Sequence, residues 1–308
     1  MTSTVPDRAE REVWLAPAKV NLWLHVGRRR EDGMHEVDTG YQAIDLADRV
    51  VIARAPEGVE VSCTASGEFA AAAPEGEANL AARAARLLAE RTGHALRVRI
   101  EIEKRIPAGA GLGGASSDAA AVLLALARRF AVPDAERTLV DLAAELGADV
   151  PFFLEGGTQR ALGIGDELAP ARTPGELWGI LIWPRIEVST RDAYGWLDEA
   201  REGADIPRFS PSGVVGRGND FETVVVARLP EVARPLEILA AGPARTIRMS
   251  GSGSAWYALY PSEADRDRDL ARVGQALGAV AGARHWPFEC VSHGVRVGRD
   301  GHAAAAGR

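Results

Sequence analysis

The chain has 308 residues, of which 46% are hydrophobic and 26% are charged. This composition is ordinary for a globular protein and excludes a disordered or fibrous chain, and the length allows two domains or one large one. The net charge of -7 argues against binding to a nucleic acid polymer, because proteins that bind such polymers carry net positive charge or a basic face.

The sequence shows no pattern of a secretory signal, a transit peptide or a membrane span. Residues 1–14 contain acidic side chains and have no apolar core. The longest apolar run, 119–127, is too short to cross a bilayer and is followed by Arg128 and Arg129. We therefore expect a cytoplasmic protein that does not bind a membrane.

Two cysteines, Cys63 and Cys290, lie far apart in the chain. Such sparse usage does not indicate a disulfide framework or a zinc site. Both cysteines are expected to be packing residues.

In chain order, the first predicted elements are three strands and a helix. Strand-forming residues occupy 13–27, where Pro17 interrupts them, and shorter strands are predicted at 47–55 and 58–65. Leucines at helical spacing, arginines on the opposite face and a terminal glycine predict a helix over 78–93.

An alternating strand and two helices follow. Residues 96–107 alternate apolar and charged side chains until Pro107, which predicts a half-exposed antiparallel strand. A glycine-rich segment then leads into a helix that ends near Phe130, and another helix is predicted over about 133–147.

The second half mixes strands, turns and helices. Residues 148–168 are predicted as strand and turns, and the continuous apolar run at 178–184 as a buried strand. Residues 244–280 indicate strand, glycine turn, strand and helix, and a boundary is expected at 163–173, where glycine, proline and aspartate cluster. Because strands and helices alternate without a buried parallel pattern throughout, the predicted fold class is α+β.

The glycine-rich segment partly matches two well-known phosphate-binding motifs. Gly109, Gly111 and Gly114 satisfy the dinucleotide pattern G-x-G-x-x-G, but the preceding strand is charged and no acidic residue ends a second strand about twenty residues later. The P-loop pattern fits from Gly109 to Ser116, except that Ala115 stands where the lysine should be. The sequence also lacks the H-R-D and D-F-G motifs of protein kinases.

The physics that these motifs share still applies to the segment. Glycines let backbone N–H groups approach a phosphate, and a helix that starts near Ser116 turns its positive end toward it. Ser116 and Ser117 can cap that helix or contact a phosphate or metal ion. A glycine-rich turn with a serine cap and no ligand is the alternative, but four glycines in six positions exceed what a cap requires.

The segment from Pro107 to Ala120, PAGAGLGGASSDAA, resembles the phosphate loop of the GHMP kinases, the superfamily of galactokinase, homoserine kinase and mevalonate kinase. Three further segments carry the same resemblance: residues 16–46, 146–153 (LGADVPFF) and 248–256 (RMSGSGSAW). Within the superfamily, the PAKVNL and DGMHE sequences of the first of these are similar to kinases that act on a cytidylyl-methylerythritol.

The resemblance implies an α+β enzyme with a ribosomal-S5-like N-terminal domain over 12–165, a ferredoxin-like C-terminal domain over 166–298 and an active site in the cleft between them. It implies an ATP-dependent kinase that uses Mg²⁺ and phosphorylates the 2-hydroxyl of the cytidylyl-methylerythritol in the non-mevalonate route to isoprenoid precursors. A GHMP kinase for another small alcohol, an NAD-dependent oxidoreductase and a nucleotide-binding protein without catalysis stay open as alternatives.

By this resemblance, Asp149 is the general base, and Lys19 keeps its carboxylate charged and polarises the acceptor hydroxyl or the γ-phosphate. Asn21 shares a strand face with Lys19 and would orient the substrate. On the residues alone, Asp149 also suits a turn aspartate that bonds nearby backbone, and Lys19 an edge-strand lysine whose charge reaches solvent.

For the acceptor, the resemblance assigns cytosine contacts to His35 and, more loosely, to Thr190 and Tyr194. Relatives usually carry a tyrosine before the histidine, where this chain has Met34. A methionine sulfur can also contact a ring face, and Tyr194 would then cover the other side of the base. A second glycine turn is expected near the phosphates of the substrate and comprises Ser250, Gly251, Ser252 and Gly253.

For ATP, the resemblance assigns Asn79, Leu80 and Lys104 to the adenine side, although Asn79 also suits a helix N-cap. No set of protein ligands for Mg²⁺ stands out, so phosphates and water are expected to fill most of its coordination shell. The residues expected to hold the ATP phosphates are Pro107, Ala108, Gly109, Ala110, Gly111, Leu112, Gly113, Gly114, Ala115, Ser116 and Ser117.

Overall fold

The structure is a computed structural model that describes residues 11–57, 60–173, 175, 177–202, 218–278 and 282–298. Two β-sheets form its centre, and helices cover the outer face of each. The strands are β1 (Glu12–Arg29), β2 (His35–Arg54), β3 (Val61–Ser66), β4 (Val98–Glu103), β5 (Thr158–Leu162), β6 (Glu167–Pro170), β7 (Trp178–Trp183), β8 (Thr246–Met249), β9 (Trp256–Tyr260), β10 (Arg284–Glu289) and β11 (Arg296–Val297).

Eight α-helices are assigned among the described residues, four with each sheet. The helices are α1 (Leu80–Thr92), α2 (Gly114–Arg129), α3 (Ala135–Leu146), α4 (Val150–Glu155), α5 (Thr190–Ala200), α6 (Phe221–Arg228), α7 (Arg234–Ala240) and α8 (Glu263–Leu277). In α1, the Asn79 side chain accepts a hydrogen bond from the Ala81 N–H, and Gly93 ends the helix in the left-handed conformation.

The first sheet has seven strands, in the order β11-β1-β2-β4-β3, and β5 joins it by pairing with β2 and β6. All of its pairs are antiparallel except β3 with β4. This mostly antiparallel sheet does not fit the dinucleotide-binding fold, in which the glycine motif follows a strand of a parallel sheet. The predicted strand before the loop is β4, which is antiparallel to β2 but parallel to β3.

In the long hairpin of β1 and β2, the pairing register breaks between Pro17 and Ala18. At this break, alternate side chains of β1 exchange the two faces of the sheet. Before the break, Trp14 and Ala16 pack into the core under α1 to α4. After it, Ala18 and Val20 pack between the two sheets. Since side chains alternate along a strand, Lys19, which lies between Ala18 and Val20, points to the opposite face of the first sheet, the face that α1 to α4 cover.

The second sheet has four antiparallel strands, in the order β10-β7-β9-β8. Its strand β7 is buried on both faces, because Ile180 and Ile182 pack under the C-terminal helices while Leu181 and Trp183 pack against the first sheet. The fold is therefore four layers deep: helices, sheet, sheet and helices. This arrangement explains the continuous apolar run at 178–184.

Most predicted elements occur in the structure, and the α+β class is confirmed. One prediction is wrong: strand and turns were expected throughout 148–168, but α4 occupies its first part before β5 and β6. Pro151 lies in the first turn of α4, where a proline is compatible with a helix because its missing N–H would have had no intrahelical partner. The run was too short to show a helical period.

The division into domains at 12–165 and 166–298 stays a prediction. Strand β6 begins just after that boundary yet pairs with β5, and β11 returns the chain to the first sheet beside β1.

Both cysteines are buried, and burial raises the pKa of each thiol to about 12. Within the described ranges, no helix is long and apolar enough to span a bilayer.

Candidate active site

A cavity of about 630 Å³ lies between the first sheet, the start of α2 and the turn between β8 and β9. It brings together most of the residues that the sequence singled out, from both halves of the chain. His35, Ser117, Ser250 and Gly253 are not among the lining residues. The predicted residues that line it are Lys19, Asn21, Met34, Asn79, Leu80, Lys104, Pro107, Ala108, Gly109, Ala110, Gly111, Leu112, Gly113, Gly114, Ala115, Ser116, Asp149, Thr190, Tyr194, Gly251 and Ser252.

The glycine loop ends in α2, which begins at Gly114 rather than near Ser116. Its N-cap is Gly113 in the left-handed conformation, and no side chain caps it. The serine-cap alternative is therefore wrong, and the first N–H groups of α2 are left for a ligand or water. The Ser117 hydroxyl is buried and has no hydrogen-bond partner among the described residues.

Two loop glycines are required by close contacts. A Cβ atom at Gly111 would lie 2.0 Å from the Ser250 carbonyl oxygen, and one at Gly113 would lie 2.7 Å from the Phe153 ring. Both glycines also have positive φ angles, 77° and 73°. No other residue type fits these positions without moving the backbone or the ring.

The second glycine turn is docked directly on the phosphate loop. The Ser250 hydroxyl donates to the Gly111 carbonyl oxygen at 2.8 Å, and the Ala255 N–H donates to the Ala110 carbonyl oxygen at 3.2 Å. Behind the turn, the Asn219 amide donates to the carbonyl oxygens of Met249 and Gly251. The two turns therefore form one wall of the cavity.

Lys19 and Asp149 meet in this cavity, with 3.9 Å between Lys19 Nζ and Asp149 Oδ2. Lys19 is only 3% exposed, whereas the Asp149 side chain is 35% exposed. Asp149 is the residue just before α4. Burial lowers the pKa of Lys19, and the charge of Asp149 opposes that shift. The Tyr41 hydroxyl donates a hydrogen bond to Asp149 Oδ1 at 2.8 Å.

Asn21 joins Lys19 to the second glycine turn. Its Oδ1 accepts hydrogen bonds from Lys19 Nζ at 2.6 Å and from the Gly251 N–H at 2.9 Å, and its Nδ2 donates to the Thr39 hydroxyl at 2.8 Å. The polar atoms of this buried amide are thus engaged inside the protein. In this state Asn21 positions Lys19, and its predicted role with substrate stays a prediction.

The residues predicted for base recognition form a stack at one end of the site. The His35 ring stacks on Tyr194, with 4.7 Å between ring centroids, and its Nε2 lies 2.7 Å from Asp198 Oδ1. The edge contact of Tyr194 with Phe221 has a centroid distance of 4.9 Å. One face of Tyr194 is therefore covered by the imidazole. Met34 is 48% exposed at the rim.

The predicted ATP residue Lys104 lies in a buried charge cluster, which we define as Lys104, Asp48 and Asp118. Its ammonium bonds the carboxylates of both aspartates, at 2.7 Å in the case of Asp118. Burial raises the pKa of Asp118 to about 8; Lys104 opposes this shift and Asp48 adds to it. Asp48 also accepts the Ile106 N–H at 2.8 Å, so the cluster braces both ends of the phosphate loop.

Sequence reasoning missed Tyr41, Asp48 and Asp118. A signal existed only for Asp118, a charged residue inside an otherwise apolar helical run. Asp48 and Tyr41 lie on β2, and their partners come from segments far away in the chain. Asn79 is confirmed as an N-cap, and its amide also donates to the Pro74 carbonyl oxygen.

The fold and the phosphate loop have counterparts among known proteins. The family model described as "GHMP kinases N terminal domain" matches residues 79–157, which include the glycine loop and Asp149. A crystal structure of homoserine kinase from Cytophaga hutchinsonii ATCC 33406 has a TM-score of 0.68 at 18% identity and covers 96% of this chain and 100% of its own. The first match covers the glycine loop, and the second shows that this chain and the homoserine kinase share a fold.

More similar relatives narrow the class. A 4-diphosphocytidyl-2-C-methyl-D-erythritol kinase of Anaeromyxobacter dehalogenans (strain 2CP-C) is 44% identical in a 285-residue alignment, and the match covers 89% of each chain. The enzyme of that name from Halorhodospira halophila (strain DSM 244 / SL1) is 39% identical, over 89% of this chain and 93% of its own. A crystal structure of 4-(cytidine 5'-diphospho)-2C-methyl-D-erythritol kinase is 36% identical, with a TM-score of 0.69, and covers 91% of this chain and 100% of its own. With the family match over the glycine loop, these relatives show that the protein is a GHMP kinase, a class of phosphotransferases. Within that class, the chain belongs to the 4-diphosphocytidyl-2-C-methyl-D-erythritol kinase family.

Gly111→Ala is expected to destabilise the protein and weaken ATP binding, because the new Cβ atom would push the Ser250 turn off the phosphate loop. Gly76→Ala is the matched control: Gly76 also has a positive φ, but a Cβ atom there meets nothing within 4 Å. The control should lose only about 1–2 kcal/mol, the conformational term. Urea unfolding and equilibrium ATP binding measure both variants. If both variants lost the same unfolding free energy and Gly111→Ala bound ATP with wild-type affinity, the contact between the two glycine turns would be contradicted.

Asp118→Asn is expected to flatten the pH dependence of stability. A carboxyl whose pKa is raised on folding contributes stability that is fully present below its unfolded pKa of about 3.9 and is lost as the pH rises through about 8. The wild type should therefore lose more unfolding free energy between pH 5 and pH 8 than the variant, as measured by urea unfolding. Asp141→Asn, which removes an exposed carboxylate of α3, should retain the wild-type dependence.

Proposed function

We propose that this chain transfers the γ-phosphoryl group of ATP to the 2-hydroxyl of 4-diphosphocytidyl-2-C-methyl-D-erythritol. The single observation that carries the proposal is the cavity in which a paired Lys19 and Asp149 face a glycine loop at a helix N-terminus. Phosphoryl transfer to an alcohol needs a phosphate cradle, a positive charge and a group that accepts the hydroxyl proton. The cavity supplies all of these.

The nucleotide would bind along the loop and the start of α2. Backbone N–H groups at the start of α2 would hold the phosphates, and the helix dipole would favour their charge. The adenine would occupy the end of the cavity that Asn79, Leu80 and Ile106 line. Because the Asn79 amide already bonds Ala81 and Pro74, its contact with a base would be through packing.

Asp149 would accept the proton of the acceptor hydroxyl. At the same time the hydroxyl oxygen would attack the γ-phosphorus, and ADP would leave. Lys19 would stabilise negative charge at the carboxylate and on the transferring group. Its backbone N–H donates to the Leu112 carbonyl oxygen at 3.0 Å, which fixes the strand next to the loop. Lys19 would thus be held at a constant distance from the phosphate donor.

Mg²⁺ is part of the proposal. The described residues contain no group of three or more His, Cys, Asp or Glu side chains that could hold a metal ion. The lining fits an ion that arrives with the nucleotide, with phosphates and water as its main ligands and Ser116 and Asp149 as oxygen donors that line the cavity. When bound, the ion would neutralise charge on the ATP phosphates.

The acceptor would extend from Asp149 toward the stack of His35 and Tyr194, with Thr190 and the turn Ser250 to Gly253 beside its phosphates. The Thr190 and Ser252 hydroxyls lie 3.1 Å apart. A GHMP kinase for another small alcohol is the second candidate, and the exposed Met34 favours it, because methionine replaces the tyrosine expected beside a pyrimidine.

The test is turnover with ATP and Mg²⁺ on the cytidylyl compound, mevalonate, homoserine and galactose, followed as ADP release. We expect turnover with the cytidylyl compound alone, and Asp149→Asn should lower kcat by about two to four orders of magnitude while ATP still binds. Turnover with a different acceptor would support the second candidate, a GHMP kinase for another small alcohol. Near-normal turnover of the variant would exclude Asp149 as the base.

Met34→Tyr is expected to lower the KM for the cytidylyl compound, because an aromatic ring at the rim can stack on cytosine. Met34→Leu is the control, since it retains the size and polarity of methionine without an aromatic face. Steady-state kinetics on both variants measure the effect. An unchanged or raised KM for Met34→Tyr, with intact folding, would show that residue 34 does not contact the base.

A further inference from the structure

Tyr41 on β2 is a buried residue that no motif of the sequence identifies. Its hydroxyl donates to Asp149 Oδ1 at 2.8 Å. Its ring packs on Phe152, with 5.0 Å between centroids, and Lys19 Nζ lies 5.4 Å from the centre of the ring. Tyr41 is therefore in contact with both members of the Lys19 and Asp149 pair.

The turn between β5 and β6 confines the Tyr41 hydroxyl. A Cβ atom at Gly165 would lie 3.0 Å from that hydroxyl oxygen and 3.7 Å from the Val37 side chain. Gly165 has a φ of 103°, a conformation that glycine adopts easily. The hydroxyl is thus confined by this turn as well as by its hydrogen bond to Asp149.

Tyr41 can donate to Asp149 but cannot take a proton from the substrate. Burial, with the negative charge of Asp149, raises the pKa of Tyr41 well above its usual value, so the hydroxyl keeps its proton throughout the neutral range. The two oxygens of Asp149 are consequently different: Oδ1 is bound to Tyr41, and Oδ2 is 3.9 Å from Lys19 Nζ.

We propose that Tyr41 is a positioning residue that holds the Asp149 carboxylate so that Oδ2 takes the proton of the acceptor hydroxyl. In this step the acceptor O–H bond breaks, its proton moves to Oδ2, the new oxygen–phosphorus bond forms, and ADP leaves with the electrons of the bond that breaks. The inference rests on the proposed function, because it assigns to Oδ2 the proton that the general base receives.

Tyr41→Phe removes the hydroxyl and retains the ring. Loss of one hydrogen bond to a charged group is expected to lower kcat about tenfold to hundredfold, with little change in the KM for ATP or acceptor. Tyr260→Phe is the matched control, because Tyr260 is equally buried and donates to Asp269 Oδ2 at 2.6 Å in the second sheet. The control is expected to retain the wild-type kcat.

A double-mutant cycle separates positioning from a general structural effect. In the Asp149→Asn background, Tyr41→Phe should reduce kcat little further, since the carboxylate that it orients is gone. Gly165→Ala, which crowds the hydroxyl while leaving Tyr41 in place, should lower kcat in the same way. Thermal unfolding of each variant reports its folding.

The inference is overturned by a wild-type kcat in Tyr41→Phe, by a change confined to KM, or by a fall that is equally large in the Asp149→Asn background. Each of these results leaves the proposed function intact as long as Asp149→Asn itself shows the lowered kcat expected above. If Asp149→Asn has near-normal turnover, the general base of the proposed function is wrong, and the role of Tyr41 is overturned with it.

Discussion

The approach of two glycine turns is the contact on which the rest of the site depends. Gly111 and the Ser250 carbonyl lie so close that no Cβ atom fits between them. This contact brings the C-terminal sheet onto the phosphate loop. It also places the Gly251 N–H on Asn21 Oδ1, which accepts a second hydrogen bond from the ammonium of Lys19. A local steric constraint therefore reaches the charged pair through two hydrogen bonds.

The two lysines of the cavity differ in how far nearby carboxylates compensate their charge. Lys19 faces one partly exposed carboxylate and a neutral amide, so its charge is only partly compensated and stays available to a ligand. Lys104 faces two buried carboxylates, which would leave a net negative charge inside the protein unless one holds a proton. The first lysine suits phosphoryl transfer, and the second stabilises the loop from beneath.

Periodicity and motif chemistry were sufficient to predict most elements, the glycine loop before α2 and the α+β class. They failed for α4, because a six-residue helix is too short to show its period. They also failed for Tyr41 and Asp48, because nothing near these residues in the chain indicates a distant charged partner. For Lys19, the direction of the side chain depends on the break in register after Pro17, which only the pairing with β2 reveals.

That break in register determines which face of the sheet the Lys19 side chain lies on. Without it, the alternation that puts Trp14 and Ala16 in the first core would continue, and Ala18 and Val20 would face the helices. Lys19 would then point between the two sheets, where no carboxylate could meet it without a large desolvation penalty. Proline tolerates an interrupted ladder because it has no N–H to donate. The short PAKVNL segment thus joins the residue that permits the break to the lysine that the break directs toward Asp149.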